Sequence, residues 1–242
     1  MPRKARFFIP KIPVHMVIRG NSRKTIFAEE EDYQSYRKWL LENKEELDCE
    51  IYSYVLMTNH VHLLLSASKT ENISKLSQSM GRCYVPYFNQ KYGKSGTLWE
   101  GRFKANSVDS EHYLLSCYRY IELNPVRAGM VEKPEEYCWS SYRSNAYGEK
   151  DDLITPHKLY LELGENNKQR LPAYRNLFKE VMDENLIKEI SSSLQTGTPL
   201  GHQKFKDEIE ELLGMKVGYT RQGRPQKTEQ FGFDDKTQLK LF

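Results

Sequence analysis

The sequence predicts an α+β fold, an antiparallel sheet with helices packed on it, followed by a small helical C-terminal region. Three observations carry that prediction. Two apolar runs, 49–57 and 60–66, are joined only by Thr58-Asn59, and so short a link turns the second strand back along the first as a hairpin. Strand-like and helix-like patterns alternate through the first 145 residues. Beyond Trp139-Ser140-Ser141-Tyr142 the strand signal stops and short helical patterns replace it.

The elements follow in order. Residues 12–19 form a first strand, broken by Gly20-Asn21-Ser22. Residues 29–47 predict a helix: Tyr33, Tyr36, Leu40 and Leu47 recur near helical spacing, and the acids at its start suit the positive end of a helix dipole. After the hairpin, residues 72–91 predict a second helix with Ile73, Leu76, Met80, Tyr84, Tyr87 and Phe88 largely on one side and Pro86 placed to kink it. Gly93-Lys94-Ser95-Gly96 is a loop, and 98–107 reads as a strand or ribbon. Residues 110–124 predict a third helix, capped by Asp109 or Ser110 and stopped by Pro125. Further helices are expected at 156–163, 172–188 and 202–213. The chain thus divides into a core at 1–147, a helical region at 148–215 that is a candidate for DNA binding, and a flexible basic tail at 216–242.

Composition narrows the function classes. Hydrophobic residues make up 38% and charged residues 29%, and no apolar stretch approaches the roughly 20 residues that span a bilayer. The basic start is followed by too short an apolar run for a signal-peptide core, so a cytoplasmic protein is expected. Cys49, Cys83, Cys117 and Cys138 lie far apart, which argues against a zinc ribbon or a redox pair. The net charge of +3 demands no particular partner, but Arg3, Lys4, Arg6 and Lys11 crowd the N-terminus, and Lys216, Arg221, Arg224 and Lys227 form a second basic stretch.

His60 and His62 lie in the apolar run Val55-Leu56-Met57-Thr58-Asn59-His60-Val61-His62-Leu63-Leu64-Leu65. Positions i and i+2 of a strand share a face, so both imidazoles project to one side as a two-nitrogen metal clamp. Two partly exposed strand histidines without a ligand are the plainer reading of the same spacing. On the third helix, Tyr113, Cys117, Tyr120 and Asn124 are spaced by 4, 3 and 4 and share a face. An aromatic core stripe explains the tyrosines, but that face ends in an amide, which serves either as a helix cap or as a metal ligand. A phenol beside a divalent ion is a nucleophile for phosphodiesters; with a reference pKa of about 10 it needs help to ionise.

These segments, with Arg19-Gly20-Asn21, Leu98-Trp99-Glu100-Gly101-Arg102-Phe103, Tyr120-Ile121-Glu122-Leu123-Asn124-Pro125-Val126-Arg127-Ala128-Gly129 and Trp139-Ser140-Ser141-Tyr142, resemble the HUH single-tyrosine transposases. The match is to the IS200-like, REP-associated tyrosine transposase branch and spans about residues 10–147. The resemblance implies a ferredoxin-like core and a metal-dependent endonuclease and strand transferase that acts on single-stranded or hairpin DNA through a 5′-phosphotyrosine. It implies His60, His62 and Asn124 as ligands of Mg²⁺ or Mn²⁺ and Tyr120 as the nucleophile. Tyr118, about 200° around the helix from Tyr120, and Tyr113, two turns back, are its rivals.

Arg19, Asn21, Arg102, Lys104 and Arg127 are candidates for gripping phosphates. The stretch Arg221-Gln222-Gly223-Arg224-Pro225 is similar to an AT-hook, which makes Arg221 and Arg224 candidate DNA contacts, although Gln222 replaces the first arginine of that motif. Other readings are a hairpin-binding descendant that no longer cuts, a replication initiator of the same chemistry, and a zinc hydrolase with His15 or His112 as third ligand. A monomer and a homodimer are both compatible with the sequence. A chain cut after residue 147 is expected to keep the chemistry and bind DNA less tightly.

Overall fold

The computed structural model describes residues 8–217. Four strands, β1 (Val14–Arg19), β2 (Cys49–Met57), β3 (His60–Ala67) and β4 (Lys104–Ser107), form one antiparallel sheet in the order β2-β3-β1-β4. Helix α1 (Glu30–Glu46) joins β1 to β2, and α2 (Asn72–Lys91) joins β3 to β4. This βαββαβ order with β1 between β3 and β4 is the ferredoxin-like arrangement. The Thr58-Asn59 turn closes the hairpin, and Met57 pairs directly with His60.

The pleat sorts the side chains. Val14, Met16 and Ile18 of β1 and Val61, Leu63 and Leu65 of β3 pack against Tyr36, Leu40, Leu76, Met80, Tyr84 and Phe88 from α1 and α2. The opposite set, His15, Val17, Arg19, His60, His62 and Leu64, therefore faces away from those helices. Helix α3 (Ser110–Glu122) crosses that second face with Leu114, Cys117, Tyr118 and Ile121 buried against Tyr52, Val55 and Leu64.

Three expectations about element bounds are revised. Only 104–107 of the ribbon 98–107 is a strand, because Gly101 adopts a left-handed φ of +68° that interrupts the extended chain. Residues 98–100 are instead tied to the end of β1 by Asn21 N–H to Leu98 O and Glu100 N–H to Arg19 O. Pro125 does not stop the third helix in a loop. It occupies the first turn of α4 (Asn124–Arg127), where a missing N–H costs nothing. The helix expected at 172–188 is two, α7 (Asn167–Asn176) and α8 (Glu184–Thr196), because the Asn166 and Asp183 side chains cap new N-termini.

Between α4 and α7 lie α5 (Tyr142–Tyr147) and α6 (Lys158–Leu161), and α9 (Gln203–Leu213) follows α8. Tyr160, Tyr174 and Ile190, from α6, α7 and α8, are buried in the same cluster as α3, so residues on both sides of 147 share this core.

Glu122 holds the two halves together. It is fully buried, and Ser141 Oγ (2.6 Å), the Tyr174 hydroxyl (2.6 Å), Asn145 Nδ2 (2.8 Å) and Ser53 Oγ (3.3 Å) donate to it. Burial outweighs those donors and lifts its pKa from 4.5 to about 7. The folded state then keeps a proton that the unfolded chain loses first, so this group's contribution to stability falls as pH rises from about 4.5 through about 7. Urea unfolding at pH 5 and pH 8 is expected to show that decline in the wild type and a flatter profile in Glu122→Gln. The same pH slope in both proteins would contradict it.

Candidate active site

The HUH-like pair sits as the strand period requires. The His60 and His62 rings lie on one face of β3 with centroids 5.0 Å apart, inclined at 70°. They open into a cleft of about 310 Å³ whose lining includes Arg19, Glu100, Arg102, Lys104, Tyr120 and Asn124. Its far wall is Ser191, Leu194 and Gln195 from α8.

Tyr120 is brought to the histidines by α3. Its ring centroid lies 6.0 Å from that of His62 and 5.7 Å from that of His15, edge-on to both. The Tyr120 carbonyl accepts from Asn124 Nδ2 at 3.0 Å and from Arg127 Nη2 at 2.9 Å. The first bond uses the Asn124 amide nitrogen and leaves its amide oxygen outside that contact. The second holds the Arg127 guanidinium over the Tyr120 ring, 4.0 Å from its centroid, where the cation meets the electron-rich face.

The other tyrosines of α3 are placed elsewhere. Tyr118 is fully buried between Tyr160 and Tyr174. The Tyr113 hydroxyl donates to Glu189 at 3.3 Å, and its ring contacts His202. Of the three, Tyr120 alone lines the cleft.

Each cleft histidine is anchored through Nδ1. Asn59 Oδ1 lies 2.6 Å from His60 Nδ1, and His15 Nε2 lies 2.8 Å from His62 Nδ1. Burial, reinforced by Arg19, lowers the His60 pKa to about 4, and burial takes His62 well below the usual histidine range. His15, fully buried, is lowered to about 3 by burial and then by the Arg127 charge. All three rings are therefore neutral near pH 7, which leaves imidazole lone pairs free to bind a cation.

Two neutral imidazoles and an amide, all lining one cleft, are a donor set that fits a divalent ion with further positions for phosphate or water. His15 stands behind His62 instead of beside the pair, and His112 contacts Asp109 and His202, so neither supplies the third ligand of a zinc hydrolase. Among the described residues, no three His, Cys, Asp or Glu side chains are grouped to hold a metal.

Arg19, Arg102 and Lys104 are exposed and line the cleft. Asn21 lines a separate cavity with Lys24, Asn89 and Lys94. Arg127 backs Tyr120 and is not part of the cleft lining. Arg221 and Arg224 lie outside the described residues. The α8 residues carried no signal in the sequence, since only the folding back of 184–196 brings them here. Glu100 stood inside a motif segment without an assigned part.

A ferredoxin-like sheet presenting a His-x-His pair to a tyrosine-bearing helix defines a class, and the comparisons agree with it. Residues 9–124 match the family described as "Transposase IS200 like". The chain is also similar to a REP-associated tyrosine transposase of Haemophilus influenzae, with 27% identity over 131 residues, 49% of this chain and 73% of the relative. In fold it resembles a solved REP-associated tyrosine transposase bound to a REP hairpin, with a TM-score of 0.51 and 19% identity, covering 65% of this chain and 93% of that one. A transposase structure from Deinococcus radiodurans aligns with a TM-score of 0.36 and 20% identity, over 50% of this chain and 96% of that one. No helix among the described residues is long and apolar enough to cross a membrane.

Proposed function

We propose that this chain is a divalent-metal-dependent single-strand DNA endonuclease and strand transferase that acts on hairpin DNA in the cytoplasm. The observation that carries the reading is the convergence of Tyr120 with His60, His62 and Asn124 in one cleft of one chain. Similarity to a transposase described as bound to a REP hairpin supports the choice of substrate.

Arg19, Arg102 and Lys104 would seat the sugar-phosphate backbone across the cleft. His60, His62 and Asn124 would hold Mg²⁺ or Mn²⁺, which when bound polarises the scissile phosphate. The Tyr120 oxygen attacks phosphorus and loses its proton. The new O–P bond leaves a 5′-phosphotyrosine, and the P–O3′ bond breaks to release a 3′-hydroxyl. A later hydroxyl attack rejoins the strand and frees the tyrosine. Arg127, held over the Tyr120 ring, fixes the attacking group and places a positive charge beside the phenolate that develops. Because Tyr120, His60, His62 and Asn124 line one cleft of one chain, a monomer is the form proposed, with a homodimer as the alternative. Arg221 and Arg224 are proposed to add minor-groove contacts.

The test is incubation with single-stranded hairpin oligonucleotides and Mn²⁺, followed by a denaturing gel. A protein–DNA adduct is expected, and chelation by EDTA is expected to remove it. DNA binding without any adduct under varied hairpins and metals would favour a non-cleaving binder. An adduct indifferent to EDTA would remove the metal from the mechanism.

A further inference from the structure

We propose that Asn59 and His15 are positioning residues that set the tautomers of His60 and His62, so that both rings present a bare Nε2 to the cation. This role rests on the metal-dependent reading above. For His60 the donors and acceptors leave one solution. Asn59 Nδ2 donates to the Arg23 carbonyl at 3.1 Å, which turns the Asn59 amide oxygen toward His60 Nδ1 at 2.6 Å. An amide oxygen only accepts, so the single proton of the neutral His60 ring sits on Nδ1 and Nε2 carries the lone pair.

His62 has a second imidazole as partner. His15 pairs with Leu64 across β1 and β3 while Val17 pairs with His62, so His15 and His62 are diagonal neighbours on one face. Their contact is 2.8 Å between His15 Nε2 and His62 Nδ1. Metal binding at His62 Nε2 requires His62 Nδ1–H to donate and His15 Nε2 to accept, which puts the His15 proton on its own Nδ1. That Nδ1 is buried and has no hydrogen-bond partner among the described residues. A histidine that leaves a polar atom unpaired in a fully buried position is a costly way to fill space that an aliphatic residue could occupy. Its evident use is the nitrogen it offers His62, in the way that outer partners of metal-bound histidines hold ring orientation and tautomer.

The experiment uses the full chain labelled with ¹⁵N-histidine. In the metal-free protein, NMR is expected to show His60 and His62 both protonated at Nδ1 and bare at Nε2. Mn²⁺ titration followed by electron paramagnetic resonance is expected to show roughly 10–100-fold weaker binding in His15→Phe and in Asn59→Ala. His15→Gln, whose amide oxygen reaches the Nε2 position, is expected to recover most of that loss. Asn59→Ala alters only a turn side chain and keeps the test open should the His15 variants fail to fold. A His62 proton found on Nε2, or Mn²⁺ bound equally by wild type, His15→Phe and Asn59→Ala, overturns the positioning role alone. Wild-type Mn²⁺ binding that His60→Ala leaves untouched overturns the metal site itself, and this role with it.

Discussion

Tyr120→Phe is expected to abolish the covalent adduct and lower strand cleavage on the order of 10⁴–10⁶-fold, the scale on which removal of an enzyme's nucleophile acts. Hairpin binding and folding are expected to survive. The phenyl ring keeps its place under the Arg127 guanidinium, and the carbonyl that accepts from Asn124 and Arg127 is unchanged. Tyr118→Phe and Tyr113→Phe serve as controls, because the first ring is buried among Tyr160 and Tyr174 and the second hydroxyl meets Glu189. Both are expected to retain the adduct. An adduct of wild-type yield in Tyr120→Phe would end the assignment of the nucleophile.

Truncation after residue 147 is expected to leave a chain that does not fold cooperatively. The packing here departs from the expectation of an active, weaker-binding core. The cut removes Tyr160, Tyr174 and Ile190 from the cluster over α3 and takes the Tyr174 donor from Glu122. It also removes Leu200, whose N–H donates to the carbonyl of Ser107 at the end of β4 and whose carbonyl accepts from Asp109 N–H. Each large apolar side chain so lost is worth about 1.5–3 kcal/mol of burial, and several together rival the 5–15 kcal/mol that typically holds a domain. Circular dichroism with a thermal scan is the measurement. A fragment that melts cooperatively and still forms the adduct would show that the chemistry does not need the helical region.

Much of the site was readable from local pattern. The two-residue link between apolar runs dictated the hairpin, and the period of two placed His60 and His62 on one face whatever covered it. The spacing of Tyr120 to Asn124 placed both on one side of a helical stretch, and the Asn124 amide does bond back to the Tyr120 carbonyl. The basic residues at the end of β1 and before α3 were found for the same reason, since each flanks an element whose direction the pattern already specified.

The remainder needed distant segments to meet. Helix starts at 167 and 184 turned on cap hydrogen bonds, which a periodicity count does not see. Nothing near 191–195 marks α8 as a wall of the cleft, and nothing near residue 15 marks His15 as the support of His62 and not a third ligand. By itself the sequence determined the sheet-forming hairpin, the facing of the histidine pair and the helix that carries the tyrosines, because each follows from the short-range geometry of strands and helices. Only the tertiary structure decided which tyrosine enters the cleft, what stands behind each imidazole and which helix closes the far side. Those depend on packing between residues tens of positions apart, and burial and hydrogen-bond pairing across such separations leave no periodic trace in the chain.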